Sequence, residues 1–253
     1  MLWLRDPHGY ADRVPGLSDT LVFVPAWNEE QNIPAVLDEL ARELPQADVL
    51  VVDDGSTDRT AAVASGRGAH VISFGENRGL PAGIAAGYEY ALEHDYAFCG
   101  RVDADGQHPV AQLVRLLERV RSGACDVAVG SRFASGDGFA EYRYKPTAAR
   151  RFGTAVLRRS MEVALDRPFL DATSGMYAAN AKALPILARP YTSEAPEVQG
   201  LLRLQEEGMR VEEIPVDMRE RASGESKLQG KKAVMVVLTI AGTLLALDRW
   251  RRK

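Results

Sequence analysis

Short apolar runs alternate with amphipathic stretches over the first 130 residues of the chain. The apolar runs predict buried strands, and apolar side chains spaced three and four residues apart predict helices. Strands are expected at 21–24, 49–52, 69–73, 96–102 and 126–130, and helices at 29–43, 57–65, from about 80 to 92 and at 109–121. Because strands and helices that alternate in this way form a parallel sheet covered by helices, the pattern predicts an α/β fold.

After residue 131 the alternation is less regular. A basic helix is predicted at about 147–165, a turn at 173–175 and a helix at about 196–207, and an uncharged, mainly apolar run follows at 233–247. At about 1.5 Å per residue this run is short for a bilayer core of about 30 Å. We therefore expect one domain at 1–228 and a C-terminal apolar helix with basic flanks at 229–253, which either packs on the domain or lies at a membrane surface.

The composition limits the classes of protein to consider. A chain of 253 residues that is 46% hydrophobic can bury one substantial core, and a net charge of −4 makes nucleic acid an unexpected partner. Cys99 and Cys125 lack the spacing of a zinc site, so we expect buried thiols in a reducing compartment. The N-terminus lacks a signal-peptide pattern, so we expect a cytoplasmic protein, either free or peripheral on the inner face of the cell membrane. The sequence does not indicate the oligomeric state.

Carboxylates follow two of the predicted strands directly. Asp53 and Asp54 end one apolar run and precede Gly55, which permits a sharp turn, while Asp103 and Asp105 end another. Ligands of an open parallel sheet bind beyond the carboxyl ends of its strands, so we expect both pairs to face one crevice. Asp103 and Asp105, with the amide oxygen of Gln107, suit a hard divalent cation whose other ligands are phosphate and water.

Two further side chains near these strand ends have alternative interpretations. Trp27 follows the first strand and either stacks on a nucleobase or belongs to the core. Asp58 either caps the second helix or contributes to the crevice, and we favour the cap.

Seven segments in this order resemble the family 2 glycosyltransferases with the GT-A fold, and more closely the polyprenyl-phosphate sugar synthases typified by dolichol-phosphate mannosyltransferase. The similarity covers most of the chain. The matching segments are 25–30, 51–60, 77–80 with Gly87, 103–109, 130–133, 171–175 and 221–227. Trp27 departs from the family's usual tyrosine, and Met176-Tyr177 stands where relatives often have Phe-Arg.

The resemblance implies an inverting transferase that uses a nucleotide-sugar donor of GDP-mannose or UDP-glucose type. Asp103, Asp105 and Gln107 would hold Mg²⁺ or Mn²⁺, and Arg221 and Lys227 would close on the diphosphate. The nucleotide would contact Pro25, Trp27, Glu29, Asp54, Asp103, Ala104 and Asp105.

The acceptor implied by the resemblance is a polyprenyl phosphate. Arg150 and Thr154 are four residues apart and share a helix face, which with Arg132 would bind the acceptor phosphate. Thr154 stands where a serine is more usual. An anionic acceptor needs no general base, whereas a hydroxyl acceptor would need a carboxylate near the anomeric carbon. Our candidate for that position is Asp171, with Glu194 and Glu197 as outside choices.

Other functions fit the sequence less well. The nearest alternative is a family 2 glycosyltransferase that acts on a soluble hydroxyl acceptor, such as a glycan or a natural product. A nucleotidyltransferase would carry a Gly-rich N-terminal loop with a catalytic basic residue, and a dinucleotide oxidoreductase would carry Gly-x-Gly-x-x-Gly after its first strand, and neither is found. A non-catalytic nucleotide-sugar binding module is a further alternative.

Overall fold

Strands and helices alternate from residue 20 to residue 131, as the apolar pattern predicts. The computed structural model of the chain describes residues 18–134, 162, 169–193, 195–217 and 219. Apart from residue 162, the predicted helix at 147–165 lies outside the described residues, as does the apolar segment at 233–247. The elements are β1 (Thr20–Ala26), α1 (Ile33–Glu43), β2 (Asp48–Asp53), α2 (Thr60–Ser65), β3 (His70–Ser73), α3 (Leu80–Glu93), β4 (Phe98–Arg101), α4 (Val110–Arg121), β5 (Val127–Ser131), β6 (Tyr177–Asn180), α5 (Leu184–Leu187), α6 (Pro196–Glu206) and β7 (Val211–Pro215).

The strands form one mixed, mostly parallel sheet in the order β3-β2-β1-β4-β6-β5-β7. β1 pairs in parallel with β2 and β4, β2 with β3, and β5 with β7. β6 lies between β4 and β5 and is antiparallel to both. The prediction of a mostly parallel sheet is confirmed, whereas β6 and β7 were not expected from the sequence.

Helices cover both faces of the sheet and enclose two hydrophobic clusters. Along β1 the side chains alternate between them: Leu21 and Phe23 join the cluster under α3, α5 and α6, while Val22 and Val24 join the cluster under α1, α2 and α4. Because both faces are buried, the central strand carries an unbroken apolar run. Cys99 and Cys125 are buried free thiols, as expected.

Two helices begin later than the sequence predicts. α1 starts at Ile33 rather than residue 29, and α2 at Thr60 rather than residue 57. The residues in between form a loop that is held by side chains from the next loop: Asn28 donates its backbone N–H to the Ser56 hydroxyl, and its side-chain oxygen accepts the N–H of Thr57. Asn28 adopts φ 55°, a left-handed conformation that ends helix continuity. Within the described residues, no helix has both the length and the apolar character needed to span a bilayer.

At the end of the sheet opposite the carboxyl ends of the parallel strands, a buried carboxylate holds neighbouring segments together. Asp126, just before β5, accepts hydrogen bonds from the Arg210 backbone and guanidinium and from the Asn180 amide. The hydrogen bonds from the Arg210 side chain outweigh the effect of burial and lower the pKa of Asp126 to about 2.

We expect Asp126→Asn to destabilise the protein by about 1–2 kcal/mol at pH 7, since hydrogen bonds to a charged group are lost and the exposure of Arg210 limits the effect. A depressed folded-state pKa contributes stability above the unfolded-state value of 3.8, and this contribution is lost as the pH falls towards 2. Urea denaturation of both proteins between pH 7 and pH 2.5 measures the difference. If the difference in the free energy of unfolding between the two proteins stays constant across this pH range, the assigned pKa is contradicted.

Candidate functional site

The predicted site residues that the structure describes lie near the carboxyl ends of the parallel strands. β1, β2, β4 and β5 all run in the same direction, so their carboxyl ends lie together. Because β6 is antiparallel, its first residues lie at this same edge. The loops that follow the four strands and the loop that leads into β6 therefore surround one crevice, which is where open α/β sheets bind ligands.

The first wall of the crevice follows β1. Pro25 is buried within the strand, and Trp27 is 37% exposed, so the alternative that Trp27 belongs to the core is wrong. The Glu29 carboxylate accepts a hydrogen bond from the Asn32 amide at 2.7 Å, and the Glu29 backbone donates to the Thr60 hydroxyl. An exposed indole at the carboxyl edge of the sheet is available for stacking on a planar ligand.

The carboxylates after β2 hold loops together. Asp54 is only 6% exposed, and its two oxygens accept the backbone N–H groups of Arg78 and Gly79 at 2.6 and 2.8 Å. Asp53 accepts from the Ser56 backbone and the Ser73 hydroxyl. Both carboxylates lie at the carboxyl end of β2, but they are buried and already accept hydrogen bonds from neighbouring loops and from the Ser73 hydroxyl. That they face the crevice stays a prediction. A contact between Asp54 and the nucleoside stays a prediction.

Gly55 explains how these loops come so close. Its φ is +66°, and a β-carbon at this position would lie 2.3 Å from the carbonyl carbon of Glu76. Only glycine fits here. The favoured interpretation of Asp58 as the helix cap is wrong in detail: the N-cap of α2 is Arg59 and makes no side-chain cap hydrogen bond. Asp58 lies one residue earlier, where it accepts the N–H of Thr60 and the N–H of Glu30 and so joins the two loops.

Asp103 and Asp105 lie on the turn after β4 and differ in exposure. The Asp103 side chain is 33% exposed, whereas Asp105 is 7% exposed and accepts the N–H of Gln107. The Asp103 N–H donates to Nδ1 of His108 at 3.3 Å. Burial lowers the pKa of His108 despite the two nearby carboxylates, which agrees with a neutral imidazole that accepts this hydrogen bond. The turn is therefore fixed from both ends.

Asp103 also contacts the buried guanidinium of Arg101, a residue that was not predicted from the sequence. Nη2 of Arg101, the last residue of β4, lies 3.2 Å from Oδ1 of Asp103 and 2.9 Å from Oε1 of Glu197 on α6. Burial by itself raises the pKa of Asp103, but the charge of Arg101 lowers it below its usual value. Burial lowers the pKa of Arg101, and the charges of Asp103 and Glu197 more than offset this, so the pKa is raised. Both groups are charged at neutral pH.

Gly175 leaves room for the Asp103 carboxylate. A β-carbon built on Gly175 would lie 2.1 Å from Oδ2 and 2.6 Å from Cγ of Asp103. The loop leading into β6 thus packs its backbone directly against this acid. This contact explains why a glycine in the 171–175 segment matters for a carboxylate more than seventy positions earlier in the chain.

The oxygen atoms of the turn after β4 suit a cation that is bound partly by the protein and partly by a substrate. Asp103, Asp105 and Gln107 offer oxygen atoms only, the chemistry that Mg²⁺ and Mn²⁺ prefer. In the part of the chain that the structure describes, no group of three or more His, Cys, Asp or Glu side chains could hold a metal ion alone. Mg²⁺ is commonly held by one or two carboxylates together with phosphate oxygens, so two aspartates fit this mode of binding.

Arg132 and Asp171 form a pair at the end of β5. The guanidinium donates from Nε to Oδ2 at 2.7 Å and from Nη2 to Oδ1 at 2.6 Å, and Nη2 also contacts the Thr173 hydroxyl. Asp171 is 1% exposed. Our candidate for a carboxylate open to a hydroxyl acceptor is therefore an enclosed partner of Arg132, since both its oxygens accept hydrogen bonds from that side chain.

Glu213 on β7 supports this pair from behind. Its carboxylate accepts the backbone N–H groups of Leu170 and Asp171, both at 2.8 Å. Burial raises the pKa of Glu213, and these two hydrogen bonds oppose the shift. β7 thereby sets the position of the loop that carries Asp171.

The segment that leaves β7 is anchored to the turn of Asp103 and Asp105. Arg219 donates its N–H to the Gln107 carbonyl at 3.0 Å, and the Gln107 amide donates to the Arg219 carbonyl at 3.4 Å. The Arg219 guanidinium forms two hydrogen bonds with Glu39 of α1, which also accepts the N–H of Val110. The remaining predicted residues lie outside the described part of the chain: Arg150, Thr154, Glu194, Arg221 and Lys227.

Comparison with known proteins gives consistent matches. The sequence model described as "Glycosyl transferase family 2" matches residues 21–184. Polyprenol monophosphomannose synthase of Mycolicibacterium smegmatis is 30% identical over 243 residues, which cover 92% of this chain and 90% of the relative. Undecaprenyl-phosphate mannosyltransferase of Micrococcus luteus is 33% identical over 240 residues, which cover 91% of this chain and 95% of the relative.

A solved structure shows the same fold. Glucosyl-3-phosphoglycerate synthase from Mycobacterium tuberculosis, in complex with Mn²⁺, UDP-glucose and phosphoglyceric acid, matches with a TM-score of 0.65 at 22% identity. The match covers 88% of this chain and 79% of that chain. The fold class predicted from the sequence, a GT-A glycosyltransferase fold, is confirmed.

Proposed function

The chain belongs to glycosyl transferase family 2, and from this premise we propose that it transfers a hexose from a nucleotide-sugar of GDP-mannose or UDP-glucose type to a polyprenyl phosphate. The observation that carries this proposal is the extent of the sequence similarity to two proteins named as polyprenyl-type mannose transferases, which covers more than nine tenths of the chain in both cases. The family model by itself spans residues 21–184, which include β2, β4, β5, all of β1 but its first residue, and the loops that follow these strands.

The nucleotide-sugar is proposed to bind across the carboxyl ends of β1, β2 and β4. Trp27 would stack on the base, with Pro25, Glu29 and Asp54 around the nucleoside and Ala104 beside the phosphates. Asp103, Asp105 and Gln107 would hold Mg²⁺ or Mn²⁺, and two of the glucosyl-3-phosphoglycerate synthase structures from Mycobacterium tuberculosis contain Mn²⁺ and Mg²⁺, respectively. When bound, such a cation neutralises charge that develops on a departing nucleoside diphosphate. Arg221 and Lys227 are proposed to supply further positive charge to the same group.

The acceptor is proposed to approach from the side of β5. Arg132 places a partly exposed guanidinium at this end of the crevice, and Asp171 and Thr173 fix its orientation. Arg150 and Thr154 would complete the phosphate site. A phosphate acceptor is already anionic, so the absence of a freely exposed Asp171 carboxylate is compatible with transfer, whereas a neutral hydroxyl would require a base.

The acceptor class also suggests a location. A polyprenyl phosphate is held in a bilayer, so we propose that residues 229–253 form a separate apolar segment that brings the catalytic domain to the membrane surface. The basic residues on both sides of this segment would contact anionic headgroups.

A panel of donors and acceptors tests the proposal. The protein is incubated with Mn²⁺ or Mg²⁺ and with GDP- and UDP-hexoses, each with and without a short polyprenyl phosphate in detergent or anionic vesicles, and products are identified by mass spectrometry. We expect one donor to give a polyprenyl-phosphate hexose in a metal-dependent reaction.

The other outcomes of this panel are equally informative. Transfer only to soluble sugars or to water would overturn the assigned acceptor and favour the soluble-acceptor alternative. Binding of a nucleotide-sugar with no turnover in any combination would contradict the enzymatic proposal itself.

A further inference from the structure

Arg101 links Asp103, a candidate metal ligand, to Glu197 on α6. One nitrogen of its guanidinium, Nη2, donates to Asp103 on one side and to Glu197 on the other. The Arg101 side chain is 2% exposed and that of Glu197 is 13% exposed. The two carboxylates are therefore held as neighbours by a single buried cation.

Stability alone does not explain a cation in this position. Nε of Arg101 and the hydroxyl of Tyr177 are both buried without a hydrogen-bond partner among the described residues, and both face the same small cavity. A buried charge is costly unless its hydrogen bonds are complete, and apolar residues of similar volume often replace buried ion pairs with no loss of stability. The buried ion pair between Arg101 and Glu197 thus calls for a functional explanation.

The charges around Asp103 indicate what that function is. Arg101 alone would neutralise Asp103 and oppose the approach of a cation. Glu197 lies 2.9 Å from the same Nη2 that lies 3.2 Å from Asp103, so the two carboxylates share the charge of the guanidinium. Asp103 and Glu197 contact Arg101, and Asp105 lies on the same turn as Asp103, so three carboxylates outnumber one guanidinium and the cluster keeps the negative charge that a divalent cation requires.

The same contacts fix the direction of the carboxylate. Arg101 holds Oδ1, while the backbone of Gly175 lies next to Oδ2 and limits its movement. Groups that orient a metal-binding carboxylate without touching the metal commonly change metal affinity by about 10–100-fold. We propose that Arg101 and Glu197 are a positioning pair that orients Asp103 for a divalent cation and preserves its charge. This inference rests on the proposed function.

Two variants separate the charge effect from the orientation effect. Glu197→Gln keeps a hydrogen-bond acceptor for Arg101 but removes the balancing charge. The double variant Arg101→Met/Glu197→Met removes one positive and one negative charge, so the net charge of the cluster is unchanged and only orientation is lost. Mn²⁺ affinity is measured by electron paramagnetic resonance of the free ion, with GDP or UDP present, together with thermal unfolding.

We expect Mn²⁺ affinity to fall about 10–100-fold in each variant, while the unfolding temperature of the double variant stays close to that of the wild type. Asp126→Asn is the control, because it breaks an ion pair between a buried carboxylate and a partly exposed arginine at the opposite end of the strands. This control is expected to lower stability and leave Mn²⁺ affinity unchanged.

Failure of the inference differs from failure of the proposed function. A wild type that binds Mn²⁺ and transfers sugar, together with a double variant of equal Mn²⁺ affinity, would show that the pair is merely structural. Should the double variant not fold, an unchanged affinity in Glu197→Gln overturns the charge argument by itself. A wild type that binds no Mn²⁺ in the presence of either nucleotide overturns both the metal-dependent function and the pair's role.

Discussion

Replacing Asp103 and Asp105 together by asparagine is expected to lower the rate of sugar transfer by about 10³-fold. The two carboxylates are the charged oxygen donors of the proposed cation site, and stabilisation of a leaving diphosphate by a metal ion is worth several kcal/mol, or about a factor of ten for each 1.4 kcal/mol. Asparagine retains the size and one oxygen of each side chain. The measurement is the initial rate of lipid-linked product formation at increasing Mn²⁺.

The fold is expected to survive this double substitution. Arg101 keeps Glu197 as a partner, and an asparagine at position 105 can still accept the N–H of Gln107. Asp38→Asn is a suitable control, because Asp38 is an exposed residue of α1 whose partner Arg67 lies on the surface. A double variant that keeps more than about a tenth of wild-type activity would remove the basis for the site assignment, since the lost metal interaction is worth several kcal/mol.

Gly175→Ala is expected to lower kcat/KM by about 10²-fold with little change in stability. The added β-carbon would lie 2.1 Å from Oδ2 of Asp103, so the carboxylate must move, although Arg101 holds its other oxygen. A displacement of about 1 Å in a positioned group can cost about 10²-fold in rate. A steady-state comparison across a Mn²⁺ titration should show a higher Mn²⁺ requirement as well as a lower rate.

Gly200→Ala provides the matched control for this substitution. Gly200 lies inside α6, and the nearest atoms to its added β-carbon are 3.5 Å away, which is ordinary van der Waals contact. An alanine inside a helix is favoured over glycine by about 1 kcal/mol, so this variant is expected to be slightly more stable and fully active. Equal activity in both glycine variants would mean that Asp103 adapts freely or has no part in transfer.

The strands and helices of the first half of the fold could be predicted because each is indicated by residues that are neighbours in the sequence. Central parallel strands are buried on both faces and therefore appear as unbroken apolar runs between helices with a clear apolar stripe. β6 gives no such signal: Tyr177–Asn180 is short and includes two alanines, which are weak strand formers. It is a strand because β4 and β5 pair with it on both sides, and neither lies near it in the sequence.

β7 escaped prediction for a related reason. Val211–Pro215 carries two consecutive glutamates and lies at the edge of the sheet, where polar side chains are common. One of these glutamates, Glu213, holds the loop of Asp171. Its role depends on a fold that brings together residues more than forty positions apart, so the local sequence could not reveal it.

The candidate site was predicted in part. Carboxylates at strand ends have a local signature, and Asp103, Asp105 and Trp27 lie at the edge where the sequence placed them. Arg101 was missed because an arginine in a short strand is ordinarily exposed, and its second partner, Glu197, is 96 positions away. Asp53 and Asp54 were expected to face the crevice, and Asp171 was the candidate base for a hydroxyl acceptor, but hydrogen bonds to neighbouring loops and to Arg132 enclose all three.

The hydrogen bonds between Glu39 and Arg219 join residues 180 positions apart, and Arg219 also pairs with Gln107. A ribosome-bound chain that has emerged only as far as β5 already contains both aspartates of the turn but lacks the residue that ties this turn to α1. During synthesis the donor site is therefore completed late, after β7 has joined the sheet. Nascent fragments that end before residue 219 are expected to form the early strands yet to lack the contact between Arg219 and the turn, and so to bind a nucleotide-sugar poorly.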